Sequence, residues 1–520
     1  MNGLSPRRAV AALVLLAGLR YATALDGGFV LDDHRAILGN SCVVQHPGPA
    51  CAFSRDFWGR PAREVGRSYR PLAVLTLALD WAVGGGKPFA FHLSNVLFHV
   101  GATLAVLAFF LALQKKRERV EIPTLAAAAL FATFGAHTDA VAGIVGRADV
   151  LATGLTAGAL ALHLRGRTML SLAGAALLCL AAMLCHEVAV LAPALVVLCD
   201  AVLGRLARGE LKRRLPAYLV LAAVTAGYLA LRAVVLGRLV GPPPPALNNP
   251  AVEADLLGRI LFALASVGRG AGVLFFPLHL SAEYGYAEIT VPRSAADGHV
   301  VAGVVTVMAL CAGVVWSRRR STLLTLGCGM LLLGLALISN GPVLMPTAFG
   351  ERLLYLPSVG AAALLGGLVE LGARRKKLTA AHVAVTVVLL VNLAIGLHEN
   401  RSWRDSVALY ENAAASCPRS ARAHLNLGLT LNQSGEHARA IGALRRALDI
   451  EPRLVDAAVE LAKAHDMVGQ TEKARRLFEE IYRKMPRHRP AVQGYARFLL
   501  RHGEAARAKE LLRQHVERTR

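Results

Sequence analysis

Long apolar runs separated by short charged connectors recur through the first 400 residues of this 520-residue chain. A hydrocarbon core about 30 Å thick takes ~20 apolar residues of helix to cross, and only helices or closed barrels satisfy their backbone there. The runs are continuous, without the period-two alternation of a barrel strand, so they read as helices. Spans are expected at 9–25, 90–113, 122–136, 149–164, 168–185, 188–203, 216–236, 298–316, 321–339, 357–372 and 379–397, eleven in all. The shorter runs need polar flanks to complete a crossing. Hydrophobic residues make up 55% of the chain and charged residues 18%. That balance excludes a water-soluble enzyme, a disordered tail protein and a small disulfide scaffold.

The net charge of +23 has a topological explanation that needs no nucleic acid. Basic clusters fall between alternate spans: Arg7-Arg8, Lys115-Lys116-Arg117 with Arg119, Arg165 with Arg167, Arg205 to Arg214, Arg318 to Arg320, and Arg374 to Lys377. By the positive-inside rule these face the cytosol. The opposite connections, 26–70, 137–148, 186–187, 237–297 and 340–356, are polar but balanced. An odd span number then puts the N-terminus in the cytosol and everything beyond 397 in the lumen. The first run lacks a small-residue cleavage site and reads as an uncleaved anchor.

Of the eight cysteines, Cys179, Cys185, Cys199, Cys311 and Cys328 lie in apolar runs and read as packing groups. Cys42 and Cys51 share the first non-cytosolic loop, where an oxidising lumen allows a disulfide. No CxxC or Cys/His spacing points to zinc.

From about 401 the chain changes to charged amphipathic helices with a fixed period. Pro418, Pro452 and Pro486 stand 34 residues apart, as do Gly435, Gly469 and Gly503, and Ala440, Ala474 and Ala508. That is the tetratricopeptide period. The glycine ends the first helix of each pair in a left-handed turn, and the alanine lets the second helix pack closely. The expected division is therefore 1–400, a multi-span membrane domain, and 401–520, about three repeats. The first unit is half-complete and runs on from the last span, so span and array are expected to join rigidly. The repeats carry a basic excess, which reads either as a solvated repeat surface or as a groove for an extended, acidic client segment.

Ionisable residues beside spans are costly to keep and are the first functional candidates. On the non-cytosolic face these are Asp32-Asp33, His137 with Asp139, Arg147 with Asp149, His186-Glu187, and Glu351-Arg352 with Tyr355. The modest alternatives are turn caps for the aspartates, loop-fixing ion pairs for Arg147-Asp149 and Glu351-Arg352, and helix-end polarity for His186-Glu187. His92, Asn95 and His99 sit at helical spacing and read as interhelical hydrogen bonders. No nucleotide-binding fingerprint is present. A membrane-bounded cavity with carboxylates and arginines suits a lipid-borne phosphate: arginine offers a forked donor, and an aspartate accepts a proton from an attacking hydroxyl.

FVLDDHRAI (29–37), SYRPLAVLTLALDW (68–81), FHLSNVLFH (91–99), HTDAVAGIVGRADVLA (137–152), YLALR (228–232), LFFPLHLSAEY (274–284) and ERLLYLPS (351–358) run in order ahead of the repeats. In this the chain resembles the transmembrane and tetratricopeptide repeat-containing O-mannosyltransferases of the endoplasmic reticulum. The resemblance implies an all-α, GT-C-like membrane bundle followed by an α-solenoid. It implies mannose transfer from dolichyl-phosphate mannose to Ser or Thr of secretory-pathway proteins, cadherin-like domains among them. It also implies multi-pass residence in the endoplasmic reticulum membrane. Asp32 and Asp33 then become the catalytic candidates, either one the base. Arg147, Arg352 and His186 are candidates for the donor phosphate, with Asp139, Asp149, Glu187, Glu351 and Tyr355 in support. The carboxylates admit a divalent metal, which the sequence does not demand. The rival readings are a membrane-anchored, non-catalytic tetratricopeptide adaptor or chaperone and, ranked last, a transporter.

Overall fold

The computed structural model describes residues 3–61, 68–114, 118–166, 168–285, 287–374 and 378–519. The basic residues Lys115 to Arg117, Arg167 and Arg375 to Lys377 therefore lie outside the described residues. The membrane part is built from α1 (Pro6–Arg20), α2 (Pro71–Gly84), α3 (Pro88–Leu113), α4 (Ile122–Thr133), α5 (Arg147–Arg165), α6 (Met169–Cys185), α7 (Ala192–Val202), α8 (Arg208–Leu236), α9 (Leu256–Phe275), α10 (Gly298–Ser317), α11 (Thr322–Ile338), α12 (Pro357–Arg374) and α13 (Leu378–Glu399). Proline opens α1, α2, α3, α4 and α7 within the first two positions, where its missing N–H costs nothing. Among the described residues the only β-type pairings are two isolated bridges, Leu4 with Val120 and Arg55 with Pro61.

Small residues let the helices approach closely. Gly327, Gly360 and Gly367 bring α11 and α12 together at backbone contact, and Gly154 of α5 lies on Ala102 of α3. This replaces the hydrophobic drive that lipid removes with van der Waals packing.

Six helical stretches among the described residues are long and apolar enough to cross a membrane: Pro88–Leu113, Ile144–Arg165, Gly209–Leu236, Leu256–Phe275, Gly298–Ser317 and Ala380–Trp403. Helices α2, α4, α6 and α11 are apolar but shorter. The expected count of eleven full-length spans is not reproduced. One of the six, α9, falls inside the 237–297 stretch expected to be a loop, because Arg259 and Arg269 interrupt its apolar run.

Hydrogen bonds sort the connections into two ends. At one end, Leu4 pairs with Val120, Ser321 bonds Glu370, and Arg374 reaches the Arg320 carbonyl. There Asp200 also gathers His163, Arg205, Arg214 and Tyr218. At the other end, segments 26–61, 134–146, 186–191, 237–255, 276–297 and 339–356 meet one another and the start of the repeats. Arg20, fully buried at the end of α1, bonds Asn400 at 3.1 Å and Thr138 at 2.9 Å. Asn400 returns a bond to the Arg20 carbonyl, and Trp403 packs over Gly143.

The repeats follow as α14 (Ser406–Ser416), α15 (Ala421–Gln433), α16 (His437–Ile450), α17 (Val455–Met467), α18 (Thr471–Lys484), α19 (Arg489–Arg501) and α20 (Ala505–Thr519). Gly435, Gly469 and Gly503 take φ near +80°, the left-handed turn that glycine enters without penalty. Ala440, Ala474 and Ala508 are buried. The array docks on the same end as the polar loops. Ser420 bonds the Gly285 carbonyl, Arg422 pairs with Glu283 at 3.0 Å, and Gly28 donates to the Arg404 carbonyl.

Candidate active site

The two neighbouring aspartates of the first loop have different surroundings. The carboxylate of Asp33 is buried, and its two oxygens accept the backbone N–H groups of Val30 (3.0 Å) and Val145 (3.1 Å). It staples the first loop to the 143–146 turn. Burial pushes its pKa up to about 7 against those two hydrogen bonds. Asp32 is one-third exposed and receives both terminal nitrogens of Arg352 at 3.3 Å on a single oxygen. The chain reverses just before the pair, with Leu31 at φ 52°, a left-handed conformation unusual for leucine.

Arg352 is anchored from behind, its backbone N–H donating to Asp139 at 3.1 Å. Burial works against its charge, but Asp139, Asp32 and Asp149 outweigh it and raise the guanidinium above its ordinary pKa. Burial raises Asp139 in turn, opposed by Arg352. Asp149 lies within electrostatic reach of Arg70 and Arg352; one oxygen faces His186 at 3.5 Å, and the other is buried without a hydrogen-bond partner among the described residues.

Glu187 is a hub. One oxygen accepts from the Tyr69 backbone at 2.8 Å and Arg232 at 3.0 Å, the other from Arg70 at 2.8 Å. Burial alone would raise its pKa, yet the guanidinium groups of Arg70 and Arg232 hold it well below the carboxylate range. His186 is buried, and its Nδ1 accepts the Val188 N–H at 3.2 Å. The ring proton therefore sits on Nε2, facing Asp149, and burial beside Arg70 keeps the imidazole neutral.

The structure thus brings together Asp32, Asp139, Asp149, His186, Glu187 and Arg352. It adds Arg70 and Arg232, which the sequence offered only as a loop charge and the end of the YLALR block. Other expected site residues lie elsewhere. Arg147 is buried in α5, pairing with Asp80 at 2.5 Å and donating to the Phe91 carbonyl at 2.9 Å, so it is not presented to a donor phosphate. His186 is buried with its Nδ1 taken by the Val188 N–H, and burial lowers its pKa well below the ordinary value. Glu351 is buried, accepting from the Ser281 backbone at 2.7 Å and from the Tyr284 hydroxyl. Burial raises its pKa well above normal. Tyr355 bonds His99 at 2.6 Å beneath the site and stacks against His137, 4.2 Å between ring centroids. Asn95 gathers the carbonyls of Val141, Gly143 and Ile144 and His92 faces the Gly28 carbonyl, both tying α3 to connecting segments, while His99 reaches the Ala132 carbonyl of α4. Among the described residues no group of three His, Cys, Asp or Glu side chains is placed to hold a metal ion.

Cys42 and Cys51 form a disulfide in the first loop, Cα atoms 5.4 Å apart. Beside that loop, Gly28, Phe29 and His34 form one wall of a cleft of about 620 Å³, and Arg404 to Ala408, Glu411 and residues of α15 form the other.

The tetratricopeptide repeat family matches residues 391–454, 431–481 and 467–520. Along most of its length the chain is also similar to proteins named protein O-mannosyl-transferases. The human protein O-mannosyl-transferase TMTC4 is 30% identical over 482 residues, 81% of this chain and 63% of the relative. Drosophila melanogaster Tmtc1 is 30% identical over 536 residues, 85% and 61%. Mouse TMTC3 is 25% identical over 525 residues, 95% and 56%. The relatives it matches are protein O-mannosyl-transferases of the TMTC group, and the C-terminal part matches the tetratricopeptide repeat. The chain spans about three fifths of the length of the relatives it matches.

Proposed function

We propose that the chain transfers mannose from a dolichyl-phosphate donor to Ser or Thr hydroxyls of secretory-pathway proteins, with Asp32 as the base. The observation that carries this reading is the Asp32–Arg352 pair, a partly exposed carboxylate beside a charged guanidinium, backed by buried acids. The relatives' printed name, protein O-mannosyl-transferase, supports the reaction class. In the proposed step the acceptor oxygen attacks the anomeric carbon while the bond to the phosphate oxygen breaks. The phosphate leaves with the electron pair, and Asp32 takes the hydroxyl proton. A β-linked donor then gives an α-linked product by inversion. Arg352 and Arg70 are the proposed partners of the departing phosphate, since a planar fork matches its oxygens and the surrounding acids keep the site polar.

The cleft between the first loop and α14–α15 is the proposed entry for an extended acceptor segment, cadherin-like domains included. The proposed location is the endoplasmic reticulum membrane, with N-terminus and basic clusters cytosolic and site and repeats lumenal. The Cys42–Cys51 disulfide supports that orientation, as do the basic runs Arg205 to Arg214 and Arg318 to Arg320 at the opposite end. The membrane domain 1–400 is proposed as the catalytic unit and 401–520 as the acceptor-handling unit.

The test is mannose transfer in membranes from labelled dolichyl-phosphate mannose to a panel of secretory domains, with Asp32→Asn beside the parent at matched expression. Transfer that collapses in the variant supports the reading. No transfer by a folded parent protein would instead favour a membrane-anchored adaptor.

A further inference from the structure

Helix α9 is 20 residues long and apolar enough to cross a bilayer, yet its neighbours belong to one end of the bundle. Before it, Asn249 bonds Asn340 at 2.7 Å and the Met345 carbonyl at 2.9 Å, both in the 339–350 segment of the site end. After it, Pro277 lies on Gly135, and Ser281 donates to Glu351, again at the site end. Between these flanks, Ala263 meets Gly341, Gly268 meets His299 and Gly303 in the first turns of α10, and Gly270 meets Leu335 and Leu354. Residues just ahead of α9 (Pro250, Glu253 to Asp255), residues of its first turns (Leu257, Gly258, Leu261) and residues 291–293 on the way to α10 line one cleft of about 500 Å³. A crossing helix would leave its two flanks some 30 Å apart at 1.5 Å per residue.

We infer that α9 does not cross the membrane but lies along the lipid surface at the site end, with Leu256, Leu257 and Ile260 against lipid. These three side chains are 76%, 63% and 50% exposed, and Phe276 and Leu278 just beyond the helix are 74% and 72% exposed. Their occupant is lipid because the patch adjoins α10, where Val301, Val305 and Met308 are likewise exposed on a helix long enough to span. Exposed Arg259 sits within the patch, costly at mid-bilayer but at home at headgroup level, where basic and leucine-rich helices lie. Gly270 packs on Leu354, two residues from Arg352, so the helix sets the headgroup level beside the polar cluster. That a lipid-borne phosphate meets Arg352 there rests on the reaction proposed above; the placement of the helix does not.

Two measurements on the full chain test this, and neither reads transfer, so their failure is separable from failure of the mannosyl reading. In a Cys311→Ala background, Arg238→Cys and Arg293→Cys in sealed microsomes are challenged with a membrane-impermeant maleimide, beside Arg8→Cys. We expect 238 and 293 to share one side, opposite to 8; labelling of 238 and 293 from opposite sides overturns the inference. Nitroxides on Leu257→Cys and Val273→Cys in nanodiscs are then compared for oxygen and nickel-chelate accessibility. Equal, shallow depths support the surface placement. A label at the bilayer centre, or a fully aqueous Leu257, overturns it.

Discussion

Arg352 reaches one oxygen of Asp32 with both terminal guanidinium nitrogens at 3.3 Å, while the adjacent Asp33 spends both oxygens on backbone N–H groups. Two carboxylates one residue apart are thereby assigned different work. One is held loosely at the surface of the cluster, and the other fastens two loops.

Asp32→Asn and Asp33→Asn should therefore fail in different ways. Replacing Asp32 should lower transfer by about 10²–10⁴-fold, the usual worth of a general base, with the melting temperature unchanged. Replacing Asp33 presents an amide N–H₂ to a buried backbone donor and should cost about 1–3 kcal/mol of stability. Thermal melts in detergent beside initial rates separate the two. An Asp33 variant that keeps its melting temperature and loses activity would reverse the assignment.

Arg147 is expected to matter through packing. With Asp80 at 2.5 Å and little water nearby, Arg147→Met leaves Asp80 buried and unpaired, a loss of about 3–5 kcal/mol. Folded yield and melting temperature should fall, while any surviving protein keeps an unaltered donor KM. Pairing it with Asp80→Leu should recover much of the stability. A raised KM in a well-folded Arg147→Met protein would restore it to the phosphate site.

Acid should weaken the fold through His186. Burial lowers its folded-state pKa well below 6.5, so as pH falls through ~6.5 the unfolded chain takes up a proton that the folded chain refuses. Stability from this group is complete above that pH and declines below it. Asp33, raised to about 7, acts in the opposite sense, because the folded chain keeps a proton between pH ~4 and 7 that the unfolded chain gives up. The informative quantity is the difference between parent and His186→Gln. Melting curves from pH 7.5 to 5.5 should show a shallower acid-side loss in the variant; parallel curves would refute the neutral, buried imidazole.

The junction between span and repeats should be sensitive to a single methyl group. A Cβ on Gly396 of α13 would collide with the buried guanidinium of Arg20, which bonds Asn400 and Thr138. Gly396→Ala should cost about 1–3 kcal/mol as overpacking and loosen the repeats, read as faster limited proteolysis near residues 400–420. Unchanged proteolysis and melting would show that Arg20 can move aside.

Asn432 heads an Asn-Gln-Ser glycosylation sequence, but its amide donates to the Glu460 carbonyl at 3.0 Å and its oxygen faces His437. Glycan-sensitive gel shifts should find it unmodified even if the repeats are lumenal. Modification would mean that the α15–α17 contact opens in the cell.

The chain by itself determined whatever periodicity and transfer free energy control. The apolar runs dictated helices in lipid, and the 34-residue spacing of Pro418, Gly435 and Ala440 with their successors dictated the repeats. The left-handed glycines and buried alanines lie where that spacing put them. The sequence also collected the acids and bases of one end, because charge next to a span is legible one segment at a time. Only the tertiary structure could decide which charges meet. Arg147 and Arg352 look alike in sequence, but one faces Asp80 inside the bundle and the other reaches Asp32 across 320 positions. Arg70 and Arg232 became site residues through Glu187, and Asp32 was separated from Asp33 by their partners, Arg352 for one and two backbone N–H groups for the other. The eleven expected spans differ from the six long apolar stretches among the described residues for a related reason. Hydropathy measures how readily a helix enters lipid, whereas its orientation is set by what its two ends hold.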